Sequence, residues 1–367
     1  MLTRAAGTIG DDPAQRIPGV LSAALGPHWE FTADGPHIEI LHPHRGSPYR
    51  PPRRSPTWRA ILNSLEAGFA RDGAPRDACL PLRWGRETEL TISAIQALDP
   101  ILKDGQPRMY RSGFIPQPVV RFTGQRDAED QLMDGFLTSF VNVSRVQPVG
   151  GLDEYGTILD NWLTVLSHLG FHARHLSIYG TLTRWRRRQV EGITLRFRHL
   201  DLTLGDIVLL WNADHPDRMV VDLGTGLERL AWARTRASWH PLIFGRFAQM
   251  ATPPTLDAIR TATLLLGHGI APAARGAGGI TRRVIGAIDP EATRLGVSAM
   301  VRAAHDYWSL FGALRAPWPE IARAIEEEGT ARAILPVRDC RGHTAPVVQV
   351  AVAPNNGKPQ VTDLGFI

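Results

Sequence analysis

Val221-Asp222-Leu223-Gly224-Thr225-Gly226-Leu227-Glu228-Arg229-Leu230 gathers an acid, two glycines and an arginine into one short stretch. Residues 219–222 read as a strand that ends in the acid, and residues 227–234 read as the helix after it. Glycine carries no Cβ, so backbone at Gly224 and Gly226 can lie close to a ligand. Arg229, on the first turns of the helix, can grip phosphate with its planar fork or stack on a base. Together these residues have the makings of a nucleotide site with a carboxylate that attracts a cation. Taken alone, the pattern equally describes an ordinary strand–turn–helix in which Asp222 complements the helix dipole.

The elements that would position these residues are legible from periodicity. Residues 29–31 and 38–40 alternate at strand period around Asp34-Gly35-Pro36, a hairpin pattern. Residues 43–56 are rich in proline and arginine and form a linker or wrapping arm. Ser55 reads as an N-cap with Pro56 at the first helical position, and Trp58, Ile61, Leu62, Leu65 and Phe69 share one face of the helix beyond it. Residues 119–122 and 138–143 are rich in β-branched and aromatic residues and are joined by a polar stretch suited to antiparallel strands. Residues 155–169 repeat apolar positions at helical spacing and stop at Gly170. Strand-like runs come next at 175–180, 192–200, 206–211 and 219–222. Residues 255–330 read as mostly helical, and 331–367 as a small β element. This order predicts an α+β fold on an antiparallel sheet. The expected divisions are an N-terminal extension with its Pro/Arg-rich arm over 1–55, a catalytic domain over 56–250, a helical domain over 251–330 and the β tail over 331–367.

At 367 residues, with 43% hydrophobic and 21% charged side chains, the chain can bury a sizeable core without disulfides. Cys79 and Cys340 form no framework. No apolar run approaches the roughly 20 residues that span a bilayer, and the N-terminus carries no apolar signal region, so the expectation is a cytoplasmic protein. The net charge of +5 is carried largely by arginine, which permits a polyanionic partner without demanding one. Arg184-Trp185-Arg186-Arg187-Arg188 interleaves basic and aromatic residues in a way that suits an RNA backbone, and equally a solvated basic turn. His172 with His175, and Cys340 with His343, have partial metal-ligand spacing, but two ligands do not make a site.

In order with its neighbours, the 221–234 segment resembles motif 3 of class II aminoacyl-tRNA synthetases, and specifically that of alanyl-tRNA synthetase. Leu90-Thr91-Ile92-Ser93-Ala94, Pro100-Ile101-Leu102-Lys103-Asp104-Gly105 and Gln117-Pro118-Val119-Val120-Arg121-Phe122-Thr123-Gly124 resemble the same family's approach to motif 2. Asp257-Ala258-Ile259-Arg260, Gly269-Ile270-Ala271-Pro272 and Arg282-Arg283 resemble the start of its helical tRNA-recognition part. The resemblance implies a class II antiparallel sheet flanked by helices, ATP with Mg²⁺, and catalysis by positioning and electrostatics. In it, Arg121 and Arg229 are the catalytic arginines, on the α-phosphate and on the adenine and γ-phosphate side. Phe140 faces adenine, and Gly224 and Gly226 leave room for the nucleotide. Asp222 holds the α-ammonium of a small amino acid such as alanine, with Asp206 and Trp211 nearby. Arg260 falls in the tRNA-recognition segment, and Arg184, Arg186, Arg187 and Arg188, by their basic pattern alone, are the other candidates for RNA or acceptor contact.

Departures from the family bear on what the acyl group is transferred to. Val141 replaces the acid after the motif 2 aromatic. Gln125-Arg126-Asp127-Ala128 replaces the family's polar motif 2 loop, and no Pro-Cys-Gly-Pro-Cys segment is recognisable. No editing-domain zinc site is recognisable before Ile367. The expectation is a paralogue that activates a small amino acid and passes it to a small molecule of specialised metabolism. A minimal tRNA ligase and a non-catalytic RNA- or partner-binding paralogue are the alternatives.

Overall fold

The structure, a computed structural model, describes residues 12–46, 48–104, 106, 113–122, 126–128 and 132–334. The β element expected over 331–367 lies outside the described residues from 335 onward, as do Cys340 and His343.

Eight strands form one sheet: β1 (Glu30–Asp34), β2 (His37–Leu41), β3 (Phe114–Val120), β4 (Ser139–Val149), β5 (Leu176–Arg187), β6 (Val190–His199), β7 (Leu202–Asn212) and β8 (His215–Gly226). Their order is β1-β2-β5-β6-β7-β8-β4-β3, and every neighbouring pair is antiparallel. The helices are α1 (Pro13–Leu25), α2 (Trp58–Arg71), α3 (Asp99–Leu102), α4 (Leu152–His168), α5 (Leu227–Thr235), α6 (Trp239–Phe244), α7 (Pro253–Gly267), α8 (Gly276–Ile285), α9 (Pro290–Leu295), α10 (Ser298–Trp308) and α11 (Trp318–Ile334). The fold is α+β, as the alternation of strand and helix periods predicts. None of the described helices is long and apolar enough to cross a membrane.

The two sheet faces differ because strand side chains alternate. Val141, Val143, Ile207, Leu209, Leu223, Leu195 and Phe197 point to one face and join the main core. Helix α4 closes that face, with Ile158, Trp162, Val165 and Leu166 buried at helical spacing. At the sheet's edge, the β1–β2 hairpin pairs with β5, and Ile17 and Leu21 of α1 are fully buried in the same core. The N-terminal segment that read as peripheral therefore contributes to the sheet and its packing. Helix α2 begins later than the sequence pattern predicts: Thr57, not Ser55, is the N-cap, its hydroxyl accepting from the Ala60 N–H at 3.1 Å.

The opposite face is polar at its centre and apolar at one end. Ile115, Val146, Val208, Leu210 and Val220 form a second, smaller cluster there, capped by Ala94, Leu98, Ile101 and Leu102. The covering segment is folded by a capping box, in which the Ser93 and Gln96 side chains satisfy each other's backbone N–H groups.

Candidate functional site

Register places most of the expected residues on the polar face. Asp222 lies opposite Val146 on β4 and Val208 on β7. Gly224 lies opposite Ser144 and Asp206, and Gly226 opposite Asn142. Residues directly opposite in a ladder share a face, so Asp222, Asp206, Asn142 and Ser144 surround the bare Cα of Gly224. A Cβ built on Gly224 would sit 3.5 Å from Asn142 Nδ2 and Ser144 Oγ and 3.7 Å from Asp206 Oδ1. The glycine leaves a space the size of a small group, walled by polar atoms.

Arg121, immediately after β3, reaches this space. Burial lowers its guanidinium to about 10, against the pull of the Asp206 and Asp222 charges that favour its ionised form. Its Nε donates to the Ile92 carbonyl at 2.6 Å, and its guanidinium carbon lies 5.2 Å from the Phe140 ring centroid. Asn142 anchors the same covering segment: its Oδ1 accepts from Ser93 Oγ at 3.3 Å and from the Ala94 N–H at 3.1 Å. Residues 92–94 are thus held by Arg121 and by Asn142 of β4.

The two acids are almost wholly buried, Asp206 at 2% and Asp222 at 6% exposure. Burial pushes the Asp222 carboxyl up to about 7, opposed by Arg121 and by the Ser144 hydroxyl. Burial, then the Asp222 charge, pushes Asp206 well above the usual carboxylate range. Among the described residues, Asp222 Oδ1 and Asp206 Oδ2 have no hydrogen-bond partner. Buried carboxylate oxygens cost free energy unless something donates to them. Both acids therefore keep an acceptor that a ligand's N–H or O–H could satisfy.

Arg229 stands at the other end of the face. A Cβ on Gly226 would touch its Cβ at 3.4 Å. Its guanidinium donates to the carbonyls of Thr203 at 3.0 Å and Gly135 at 2.8 Å, and lies 5.6 Å from the Phe136 ring centroid. Phe140, half-buried on β4, is the aromatic residue nearest in the strand order to Gly226. Its ring packs partly on a cluster of Leu132, Leu137, Trp239 and Ile243.

Three expectations are corrected. Trp211 faces away from Asp222: it is 3% exposed in the main core, and its Nε1 donates to Glu191 Oε2 at 3.1 Å. Strand alternation puts its neighbour Asn212 on the other face, donating to the Leu102 carbonyl at 2.8 Å. Arg260 is no surface contact: 5% exposed, it pairs with Glu228 at 2.5 Å and lies 4.1 Å and 4.4 Å from the Tyr307 and Trp308 rings. The basic run at 184–188 is not one surface. Arg184 and Arg186 turn to Glu191 at 3.6 Å and 3.4 Å, whereas Arg187 and Arg188 line a cavity that reaches Asp222.

Sequence reading missed Asn142, Ser144, Ser93 and Arg196. Arg196 lies directly across from Asp206 on β6 and favours that acid's ionised form. The Ser93-x-x-Gln96 spacing was a readable capping signal; the others acquire meaning only through register. Among the described residues, no three His, Cys, Asp or Glu side chains are placed to hold a metal. Glu228, the acid nearest Arg229, is already engaged by Arg260, by the Tyr307 hydroxyl and by the Val141 N–H.

No family model and no curated protein matches the chain. Among solved structures it is similar to PylSc of Desulfitobacterium hafniense, a pyrrolysyl tRNA synthetase, at 15% identity and a TM-score of 0.36, over 50% of this chain and 71% of that one. A likeness at that TM-score carries no weight for the chemistry, which rests on the residues of this face and their registers.

Proposed function

We propose that the chain activates an amino acid as its aminoacyl-adenylate at the expense of ATP, as the motif resemblance implies. The observation that supports this best is the trio of Asp206, Asp222 and Arg121 around the bare Gly224 position. Asp222, with the Asp206 carboxyl beside it, would receive the α-ammonium, which selects amino acids over plain carboxylic acids. That leaves the substrate carboxylate directed toward Arg121. Its oxygen attacks the α-phosphorus of ATP, an O–P bond forms, and pyrophosphate leaves with the electrons of the broken P–O bond. Arg121 holds the charge that develops at the α-phosphate. The carboxylate is already a nucleophile, so the protein supplies position and fixed charge rather than a general base.

Adenine would lie between Phe140 and Arg229, with Gly226 leaving room for the ribose end. Mg²⁺ would come with the triphosphate and neutralise it, since the acids of this face are directed at the ammonium seat and Glu228 is committed to the helical layer. The acyl group then passes to a nucleophile with release of AMP; a small-molecule acceptor fits the departures from the synthetase pattern. A tRNA acceptor is the second reading. It is favoured by a cavity of about 510 Å³ beside the end of β3, where Phe122, 54% exposed, stands with Arg126 and Arg283.

Amino-acid-dependent exchange of pyrophosphate into ATP, measured with and without tRNA, tests the reading. Exchange without tRNA is the expected result, and Arg121→Ala should lower it by about 10²-fold or more. Absence of exchange with every amino acid would sink the proposal.

A further inference from the structure

On the same face as Asp222 there is a cavity of about 280 Å³. Val208 and Leu210 form its floor beyond Asp222; Ile92, Ile95, Leu102 and Val190 wall it, and Trp185 closes the side toward β5. The Trp185 ring is built in rather than loosely packed. It lies over Gly192, where a Cβ would come within 2.7 Å of its Cζ2, and its Nε1 donates to Thr194 Oγ1 at 3.0 Å. Val208 and Leu210, the residues of β7 in its lining, lie two residues apart, roughly 7 Å at 3.3 Å per residue. The cavity therefore runs along the sheet away from the ammonium seat for about the length of a long side chain.

An alanine methyl takes up roughly the 30 Å³ of one water molecule in the liquid, while an apolar cavity of about 150 Å³ suffices for benzene. A substrate of alanine size would leave most of this space lined by apolar walls and filled only by water, and no binding free energy would come from those walls. Of the charges at the rim, Lys103 meets Glu87 at 2.8 Å and Asp99 at 3.1 Å, Arg188 meets Glu87 at 2.9 Å, and the Arg187 guanidinium carbon lies 5.9 Å from the Trp185 ring centroid. A large side chain with an apolar body gains the contact of Val208, Leu210, Ile95 and Trp185, which a methyl would leave to water.

We infer that the amino acid this chain activates carries a large, mostly apolar side chain, seated in the cavity between Asp222 and Trp185, and not the methyl of alanine. The inference rests on the activation reading and specifies its substrate class.

The test is amino-acid-dependent pyrophosphate exchange with glycine, alanine, leucine, methionine, phenylalanine and tyrosine. At least one of the four large amino acids should show kcat/KM tenfold or more above alanine. Ile95→Trp and Val190→Trp, on two different elements of the wall, should each lower that value at least tenfold while circular dichroism reports an intact fold. Exchange with glycine or alanine and none with the large side chains overturns the inference and leaves activation standing. Exchange with large amino acids that neither tryptophan variant diminishes also overturns it, because the cavity is then not the seat. No exchange with any amino acid removes the activation reading itself, and the inference with it.

Discussion

Arg260 Nη2 lies 2.5 Å from Glu228 Oε1, and both side chains are buried. The pair joins α5, which carries Arg229, to α7 in the helical layer. The Glu228 carboxylate also accepts from the Tyr307 hydroxyl of α10 at 2.6 Å and from the Val141 N–H of β4 at 3.1 Å. Val141 stands where the synthetase pattern has an acid, and its side chain is buried in the main core. A buried ion pair that also satisfies a backbone donor is costly to halve, because the surviving charge keeps its desolvation penalty without its partner. Arg260→Leu should therefore lower unfolding free energy by about 3–5 kcal/mol in urea. An unchanged midpoint would show that the pair does not hold the two layers together.

If the chain binds an amino acid as proposed, the pH dependence of that binding should derive from Asp222. Burial sets its carboxyl near 7 in the free protein, so the anion that would pair with an ammonium is depleted as pH falls through that value. Accordingly kcat/KM for the amino acid should drop below about pH 7, mainly through KM, while KM for ATP changes little. Asp222→Asn should be slow and should lack this limb. A profile for the unmodified protein that stays flat through the raised Asp222 value would separate Asp222 from substrate binding.

Stability should move in the opposite sense to activity. A carboxyl whose value is raised on folding binds its proton more tightly in the native state. Its contribution is fully present below the unfolded value of 3.8 and is lost as pH rises through about 7. Asp222→Asn removes the buried charge, so the variant should be more stable than the parent at about pH 8, on the order of 2 kcal/mol, and should lose that advantage at about pH 4.5. Thermal melts at the two pH values decide this. A variant less stable than its parent at the higher pH would mean that Asp222 is stabilised by partners beyond Arg121 and Ser144.

The sheet was legible because it rests on local signals, and periodicity located β5 to β8. The turn expected at Gly224-Thr225-Gly226 is instead strand: β8 stays paired with β4 through Gly226 and passes directly into α5. What could not be read was which side of the sheet each residue would occupy. Trp211 and Asn212 are adjacent in sequence and point to opposite faces, and only the pairing of β7 with β6 and β8 says which face each one takes. Arg260 carries no mark that separates a surface arginine from a buried one until Glu228, far away in sequence, arrives beside it. Likewise Asn142 and Ser144 look like ordinary strand residues until they lie opposite Gly226 and Gly224. The bulk of the cavity toward Trp185 is also a product of register, since it requires Gly192 under the indole ring.

Two glycines on the neighbouring strands β7 and β8 should respond to the same substitution in different ways. A Cβ on Gly205 would collide with the Gly224 carbonyl oxygen, a backbone atom with no room to withdraw inside a paired ladder. Gly205→Ala must force the strands apart and should cost about 1–3 kcal/mol or more of stability, seen as a lowered unfolding midpoint. A Cβ on Gly224 meets its nearest neighbours at 3.5 Å, ordinary contact, and projects into the space between Asp206, Asn142 and Ser144. Gly224→Ala should therefore fold with a midpoint close to that of the parent while losing amino-acid-dependent exchange by tenfold or more, because on the proposed reading its methyl would occupy the substrate's place. If Gly224→Ala instead keeps full activity, the space it fills is not where the reacting group sits, and the site must be sought elsewhere on this face.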